Sequence, residues 1–199
     1  IWLPVAFVFF YVISKNKNWR ETLLLTGVIV LLFTLSDQIS SSILKPLIAR
    51  PRPSHDVDIE TLLNYVYGYK GGAFGFPSSH AANSFAFAVF SSLLFKNRIY
   101  TASAALWALT CSYSRIYLGV HFPCDVIVGA IIGACVAFGC HSAYLKLRER
   151  LDAKYRFSAM REVEDGKTSP EYESKDVFLI VIVLSTLFFA IAFGGWQLR

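Results

Sequence analysis

Residues 22–44 read Thr-Leu-Leu-Leu-Thr-Gly-Val-Ile-Val-Leu-Leu-Phe-Thr-Leu-Ser-Asp-Gln-Ile-Ser-Ser-Ser-Ile-Leu and run directly into Lys45. An α-helix needs about 20 mainly apolar residues to cross the hydrocarbon core of a bilayer. This stretch has that length, and one carboxylate, Asp37, lies inside it. Further apolar runs occupy roughly 1–13, 80–95, 99–118, 123–145 and 177–195. The composition agrees with them. Of the 199 residues, 55% are hydrophobic and 17% charged, and the mean hydropathy is +0.48. A soluble domain carries about 25% charge, so this chain lacks the polar surface to cover a water-soluble body. A disordered chain, a coiled coil and a disulfide-framed module are excluded as well. The expected architecture is all-α, a polytopic transmembrane helix bundle of about six spans. The first run is short and starts at Ile1, so it reads as the remainder of a longer, truncated helix. No internal repeat is evident, which argues against an inverted-repeat transporter.

The basic residues set the orientation. The segments 14–21, 96–98 and 146–176 fall on one side and hold Lys15, Lys17, Arg20, Lys96, Arg98 and eight more of the 19 Lys and Arg residues. By the positive-inside rule that side is cytoplasmic. The chain then divides into a transmembrane catalytic core over 1–145, a cytoplasmic loop over 146–176 and a C-terminal transmembrane helix over 177–199. The loop reads as a helix end snorkelling toward headgroups, followed by a solvated stretch. The net charge of +5 is a product of sidedness, not a nucleic-acid signal. Cys111, Cys124, Cys135 and Cys140 fit no zinc or disulfide spacing and read as buried small hydrophobes.

The remaining cations gather in a few short segments. Lys45 through Pro53 closes the second span, Phe76 through His80 opens the third, and Ser114 through Asp125 bridges the fourth and fifth. If the spans alternate, all three segments meet at the extracytoplasmic surface. They contribute Lys45, Arg52 and Arg115 as cations, Ser78 and Ser79 as hydroxyls, His80 and His121 as imidazoles, and Asp125 as a carboxylate. Three permanent cations require an anion, and phosphate suits them: Arg donates in a planar fork, Lys as a point charge. Ser78 and Ser79 precede a helix whose free amides face the same anion. His121 and Asp125 are four apart at a helix start, so the carboxylate can orient the imidazole and free its other nitrogen for attack. His80 suits a general acid for the leaving oxygen.

The ordered pattern Lys45…Arg52-Pro53, Pro77-Ser78-Ser79-His80 and Ser114-Arg115…His121…Asp125 resembles the type-2 phosphatidic acid phosphatase superfamily, which includes membrane lipid phosphatases. The resemblance implies a phosphohistidine on His121, His80 as general acid and Asp125 as orienting carboxylate. It also implies phosphate binding by Lys45, Arg52, Ser78, Arg115 and the Ser79 amide. Ser79 departs from the family pattern, which usually has Gly there, and its side chain is expected to narrow the pocket.

The expected activity is hydrolysis of a lipid phosphate in the cell membrane with no metal or cofactor. Undecaprenyl diphosphate is the first substrate choice. Phosphatidylglycerol phosphate, phosphatidic acid and lipid A compete with it, and a non-catalytic lipid-phosphate binder or transporter is the rival class. Substrate and membrane lipids are the expected partners; the sequence does not set the oligomeric state. Asp37, Ser41 and Lys45 share a helix face, which makes Asp37 a partner beneath Lys45 or a helix–helix hydrogen bonder. Arg50 is read as a surface or headgroup contact, His55 as solvated and His141 as remote from the site. The loop 54–76, rich in Tyr and Gly, reads as an interfacial helix and tight turn, with a lid as the alternative.

Overall fold

The protein is represented by a computed structural model that describes residues 3–59, 69–155 and 172–197. The helices are α1 (Leu3–Asn16), α2 (Trp19–Asp37), a short α3 (Lys45–Ile48), α4 (Ser79–Phe95), α5 (Arg98–Tyr117), α6 (Pro123–Tyr155) and α7 (Ser174–Gln197). Between α2 and α3 the backbone continues as a π-helix over Gln38–Leu44, so the stretch from Trp19 to Ile48 is one continuous rod. No strand forms among the described residues, and the all-α bundle expected from the apolar runs is the observed fold. Local chemistry fixes several boundaries. The side chain of Asn18 accepts the Glu21 amide at 2.9 Å to start α2, and Asn97 accepts those of Ile99 and Tyr100 at 3.0 Å to start α5. These are the orphan donors of a first helical turn. At the C-terminus of α6, residues 146–155 continue as the helix end read at the start of the 146–176 segment, as their Leu, Lys, Arg, Glu and Ala content favours. The remainder of that segment, 156–171, lies outside the described residues.

Three stretches are long and apolar enough to cross a membrane: Trp19–Ile48, Pro123–Ala153 and Ser174–Ile191. Helix α4 is shorter, at 17 residues, and rich in Ala and Ser. It is the central helix, packed against α2, α5 and α6, so its faces meet protein and not lipid. Its tightest neighbour is α6. A Cβ on Gly129 would collide with the Ser78 carbonyl, and one on Gly133 would collide with the Ala82 carbonyl and reach within 2.9 Å of the Ala86 nitrogen. These two glycines therefore let the backbones touch, as small residues do wherever membrane helices cross closely. The contact sets the height of the α4 N-terminus against the α6 N-terminus, where the expected catalytic residues lie.

The opposite end is clamped by charge. Buried Glu21 meets Lys17 Nζ at 2.9 Å, Arg148 Nε at 3.0 Å and the Tyr144 hydroxyl at 2.9 Å, tying α2 to α6. Lys15 of α1 meets Asp176 of α7 at 2.7 Å. Phe9, Phe87, Phe95, Tyr100 and Tyr172 pack between them through edge-on and tilted ring contacts. A carboxylate this buried is tolerated because cations and a hydroxyl surround it.

Candidate active site

The C-terminus of the α2–α3 rod, the N-terminus of α4, the C-terminus of α5 and the N-terminus of α6 converge at one end of the bundle. Two turns complete the enclosure. After α5 the chain reverses through Gly119, whose φ of +66° places it in the left-handed region open to glycine. After α3, residues 50–52 pair with 73–75: the Gly75 amide donates to the Arg50 carbonyl at 2.9 Å and the Arg52 amide to the Ala73 carbonyl at 3.2 Å. The α4 and α6 starts are joined as well, the Ser78 amide donating to the Asp125 carbonyl at 2.9 Å.

His121 and Asp125 are both buried here. Nδ1 of His121 stands 3.4 Å from Asp125 Oδ2, an ion-pair-range contact longer than a formed hydrogen bond. The same oxygen accepts the Phe122 amide at 2.9 Å. On the other side of the ring, Arg52 Nη1 lies 3.3 Å from Nε2. Guanidinium only donates, so Nε2 presents its lone pair and Nδ1 carries the proton toward Asp125. This is the tautomer a nucleophilic Nε2 requires. Burial holds the His121 imidazole below its ordinary range; the Asp125 contact opposes that shift, and the Arg52 charge adds to it. His121 is therefore neutral near pH 7.

Arg52 is aimed by its surroundings. Nε donates to the Phe74 carbonyl at 3.1 Å and Nη1 to the Val120 carbonyl at 3.3 Å. Gly71 and Gly75 leave room for the arm: a Cβ on Gly71 would lie 2.8 Å from Nη1, and one on Gly75 3.1 Å from the Arg52 Cγ. Two of the glycines of the loop 54–76 thus accommodate a cation. The rest of the possible lid, residues 60–68, lies outside the described residues.

Lys45 is held differently. Its Nζ donates to Ser79 Oγ at 2.6 Å, the Ser79 and Ser41 hydroxyls are 2.7 Å apart, and Ser41 donates to Asp37 Oδ1 at 3.2 Å. The directions follow from valence. Ser41 gives its one proton to Asp37, so Ser79 must give its own to Ser41 and accept from Lys45. An unbroken donor chain thus runs from ammonium to carboxylate. Asp37 acts through Ser41 and Ser79, two steps more remote than a partner directly beneath Lys45. The side chain that marks the departure at position 79 closes the chain.

The other expected residues occupy distinct positions. Ser78 is fully buried, and its Oγ faces the Ala81 amide at 3.5 Å as the cap of α4. His80 is exposed at the mouth, within the electrostatic reach of Arg115, His121, Lys45 and Arg52. Arg115 closes α5, its Nε 3.4 Å from the Ser114 hydroxyl. Among the described residues no group of three His, Cys, Asp or Glu side chains is arranged to hold a metal. His55 is exposed as expected, and His141 packs on Phe90 and Tyr144 within the bundle. The cysteines depart from expectation: Cys140 is buried, Cys111 partly so, and Cys124 and Cys135 are exposed. An outward-facing thiol on a membrane helix meets lipid, and Cys124 lies at the mouth of the site. Arg50, expected at the surface, instead pairs with Asp125, Nη1 to Oδ1 at 3.1 Å. Its place beside Arg52 in an Arg-Pro-Arg-Pro run was the available clue.

Residues 23–149 match the PAP2 superfamily. The chain is 42% identical to the lipid A 4'-phosphatase of Bacteroides thetaiotaomicron over 77% of its length and 68% of that protein's. It is 38% identical to the lipid A 4'-phosphatase of Porphyromonas gingivalis, over 75% of this chain and 63% of that protein. Among solved structures, LpxE of Aquifex aeolicus superposes with a TM-score of 0.52 at 28% identity, covering 70% of this chain and 75% of that one. With the fold, the order of the three motifs and these matches in agreement, the chain belongs to the PAP2 superfamily of membrane lipid phosphatases.

Proposed function

We propose that this protein removes a phosphate monoester from a lipid A-type glycolipid at the extracytoplasmic face of the cell membrane, through a phosphohistidine on His121. The observation that carries the reading is the setting of His121: Nε2 faces the cationic cluster while Nδ1 faces Asp125. The neutral imidazole attacks phosphorus through Nε2 as the bond to the lipid oxygen breaks. His80, neutral in the resting site beside Arg115, Lys45 and Arg52, takes up a proton from solvent as the phosphate dianion offsets those cations. It gives that proton to the lipid oxygen, and Asp125 stabilises the imidazolium that forms on His121. Water then attacks the phosphohistidine, His80 takes the proton, and inorganic phosphate leaves with His121 restored. Lys45, Arg52, Arg115 and the first amides of α4 neutralise charge on the phosphoryl oxygens. Ser78 contributes by capping that helix, which holds those amides in place.

The relatives named for lipid A move the substrate preference from undecaprenyl diphosphate to lipid A. Sidedness is supported by the basic residues: Lys15, Lys17, Lys96, Arg98 and Arg148 cluster at the end of the bundle opposite the site. The test is phosphate release by purified protein in EDTA from lipid A, undecaprenyl diphosphate and phosphatidylglycerol phosphate presented side by side. Lipid A is expected to be hydrolysed fastest, and His121→Ala to lower that rate at least about a thousandfold. A preference for the diphosphate would overturn the substrate assignment, and activity in His121→Ala would overturn the mechanism.

A further inference from the structure

Arg50 is anchored in a way that a headgroup-binding arginine is not. Its backbone carbonyl is pinned by the Gly75 amide at 2.9 Å. Its guanidinium lies 4.3 Å from the centroid of the Phe122 ring, a cation–π distance. Nη1 contacts two acceptors, Cys124 Sγ at 2.8 Å and Asp125 Oδ1 at 3.1 Å. Backbone, ring and carboxylate thus hold one side chain that is only 36% exposed, beside a carboxylate with no exposure at all.

The division of the carboxylate is the telling feature. Oδ1 of Asp125 goes to Arg50, while Oδ2 goes to the Phe122 amide and faces His121 Nδ1. The two oxygens of a carboxylate share one plane, so fixing Oδ1 fixes the direction of Oδ2. We propose that Arg50 is a positioning residue for the reaction: by occupying one oxygen of Asp125, it aims the other at His121 and restrains how strongly the carboxylate draws the imidazole proton. In the resting site this keeps His121 neutral and nucleophilic. In the phosphoenzyme, when the ring is cationic, Asp125 is already aligned to receive it. The charged and titratable groups facing this pair are Arg50 and Arg52 from the loop after α3, Lys45 from α3, His80 from α4 and Cys124 from α6. On the side away from His121 the carboxylate meets Arg50 Nη1 at 3.1 Å and, more loosely, the Cys124 thiol at 3.8 Å, and Arg50 is the charged one of the two.

The inference rests on His121 as the nucleophile, and the experiment separates the two. In detergent-solubilised protein, kcat, KM and the pH dependence of kcat/KM are measured for Arg50→Gln, Arg50→Lys, Asp125→Asn and the Arg50→Gln/Asp125→Asn double variant. Melting temperatures are compared to show that each variant folds. Arg50→Gln is expected to lower kcat roughly tenfold or more with KM little changed, as loss of one charge-assisted hydrogen bond implies. Its acid limb should move to higher pH, because Asp125 is freed to draw the His121 proton and a nearby cation is gone. Arg50→Lys should restore part of the rate and move the limb back toward wild type. In the Asp125→Asn background, Arg50→Gln should cost nothing further. An unmoved acid limb, a loss confined to KM, or full additivity with Asp125→Asn would overturn the positioning role. A wild-type rate that is insensitive to His121→Ala would instead overturn the nucleophile.

Discussion

His121 illustrates how much one residue's setting decides. Burial and Arg52 push its pKa down while Asp125 pushes it up, and the net shift is downward. The neutral form, which the proposed attack requires, therefore persists below the ordinary imidazole pKa of about 6.5. The acid limb of kcat/KM is expected below that value, with activity falling as pH drops through the lowered pKa; a pH–rate profile checks it. The stability effect has the same direction. The unfolded chain binds this proton more readily, so His121 favours unfolding progressively as pH falls below about 6.5. At this scale the sequence showed which residue types meet, because spacing places Asp125 four residues from His121. It did not show which atoms meet. Nothing local in an Arg-Pro-Arg-Pro run distinguishes Arg52, aimed at an imidazole, from Arg50, aimed at a carboxylate. That distinction comes from residues 73–75 pairing with the loop, a contact more than twenty residues away in sequence.

Among the elements, the α4–α6 crossing does most to place the site. The helix starts that carry the candidate site residues both depend on it, since side chains at Gly129 and Gly133 would collide with α4 backbone, which cannot move aside. Gly133→Leu is expected to separate the helices, cost about 1–3 kcal/mol of overpacking strain, and lower the thermal midpoint in detergent. Activity should fall with it, although position 133 touches no reacting group; a melting curve and an initial rate measured together check both. The apolar runs made the helices legible. The glycines were not legible as contacts, because Gly is common in membrane helices whether or not a partner approaches. The π-helical turn over Gln38–Leu44 was hidden for a similar reason. Counting with α-helical spacing still put Asp37, Ser41 and Lys45 on one face, but the structure routes Lys45 to Asp37 through Ser79 of another helix.

On the scale of the whole molecule, charge is sorted along the bundle axis. One end holds the Lys45, Arg52 and Arg115 cluster, and the other holds the Glu21 clamp and most of the remaining cations. If the site faces outward, Cys124 at its mouth is reachable by a membrane-impermeant maleimide. In a variant retaining Cys124 alone, intact spheroplasts are expected to label without permeabilisation; labelling only after lysis would reverse the orientation. This large-scale order was readable early, because hydrophobic runs and Lys/Arg placement are properties of the chain, not of packing. The substrate was not readable, since the motif describes a phosphate and not the lipid that carries it. The central claim is covalent chemistry at one nitrogen. Its most direct test is acid-free quenching of the enzyme during turnover of 32P-labelled lipid A, followed by mapping of the labelled residue. An acid-labile, base-stable phosphoenzyme on His121, absent from His121→Ala, is the expected result. Turnover that proceeds in the His121→Ala variant, or label found on another residue, would contradict it.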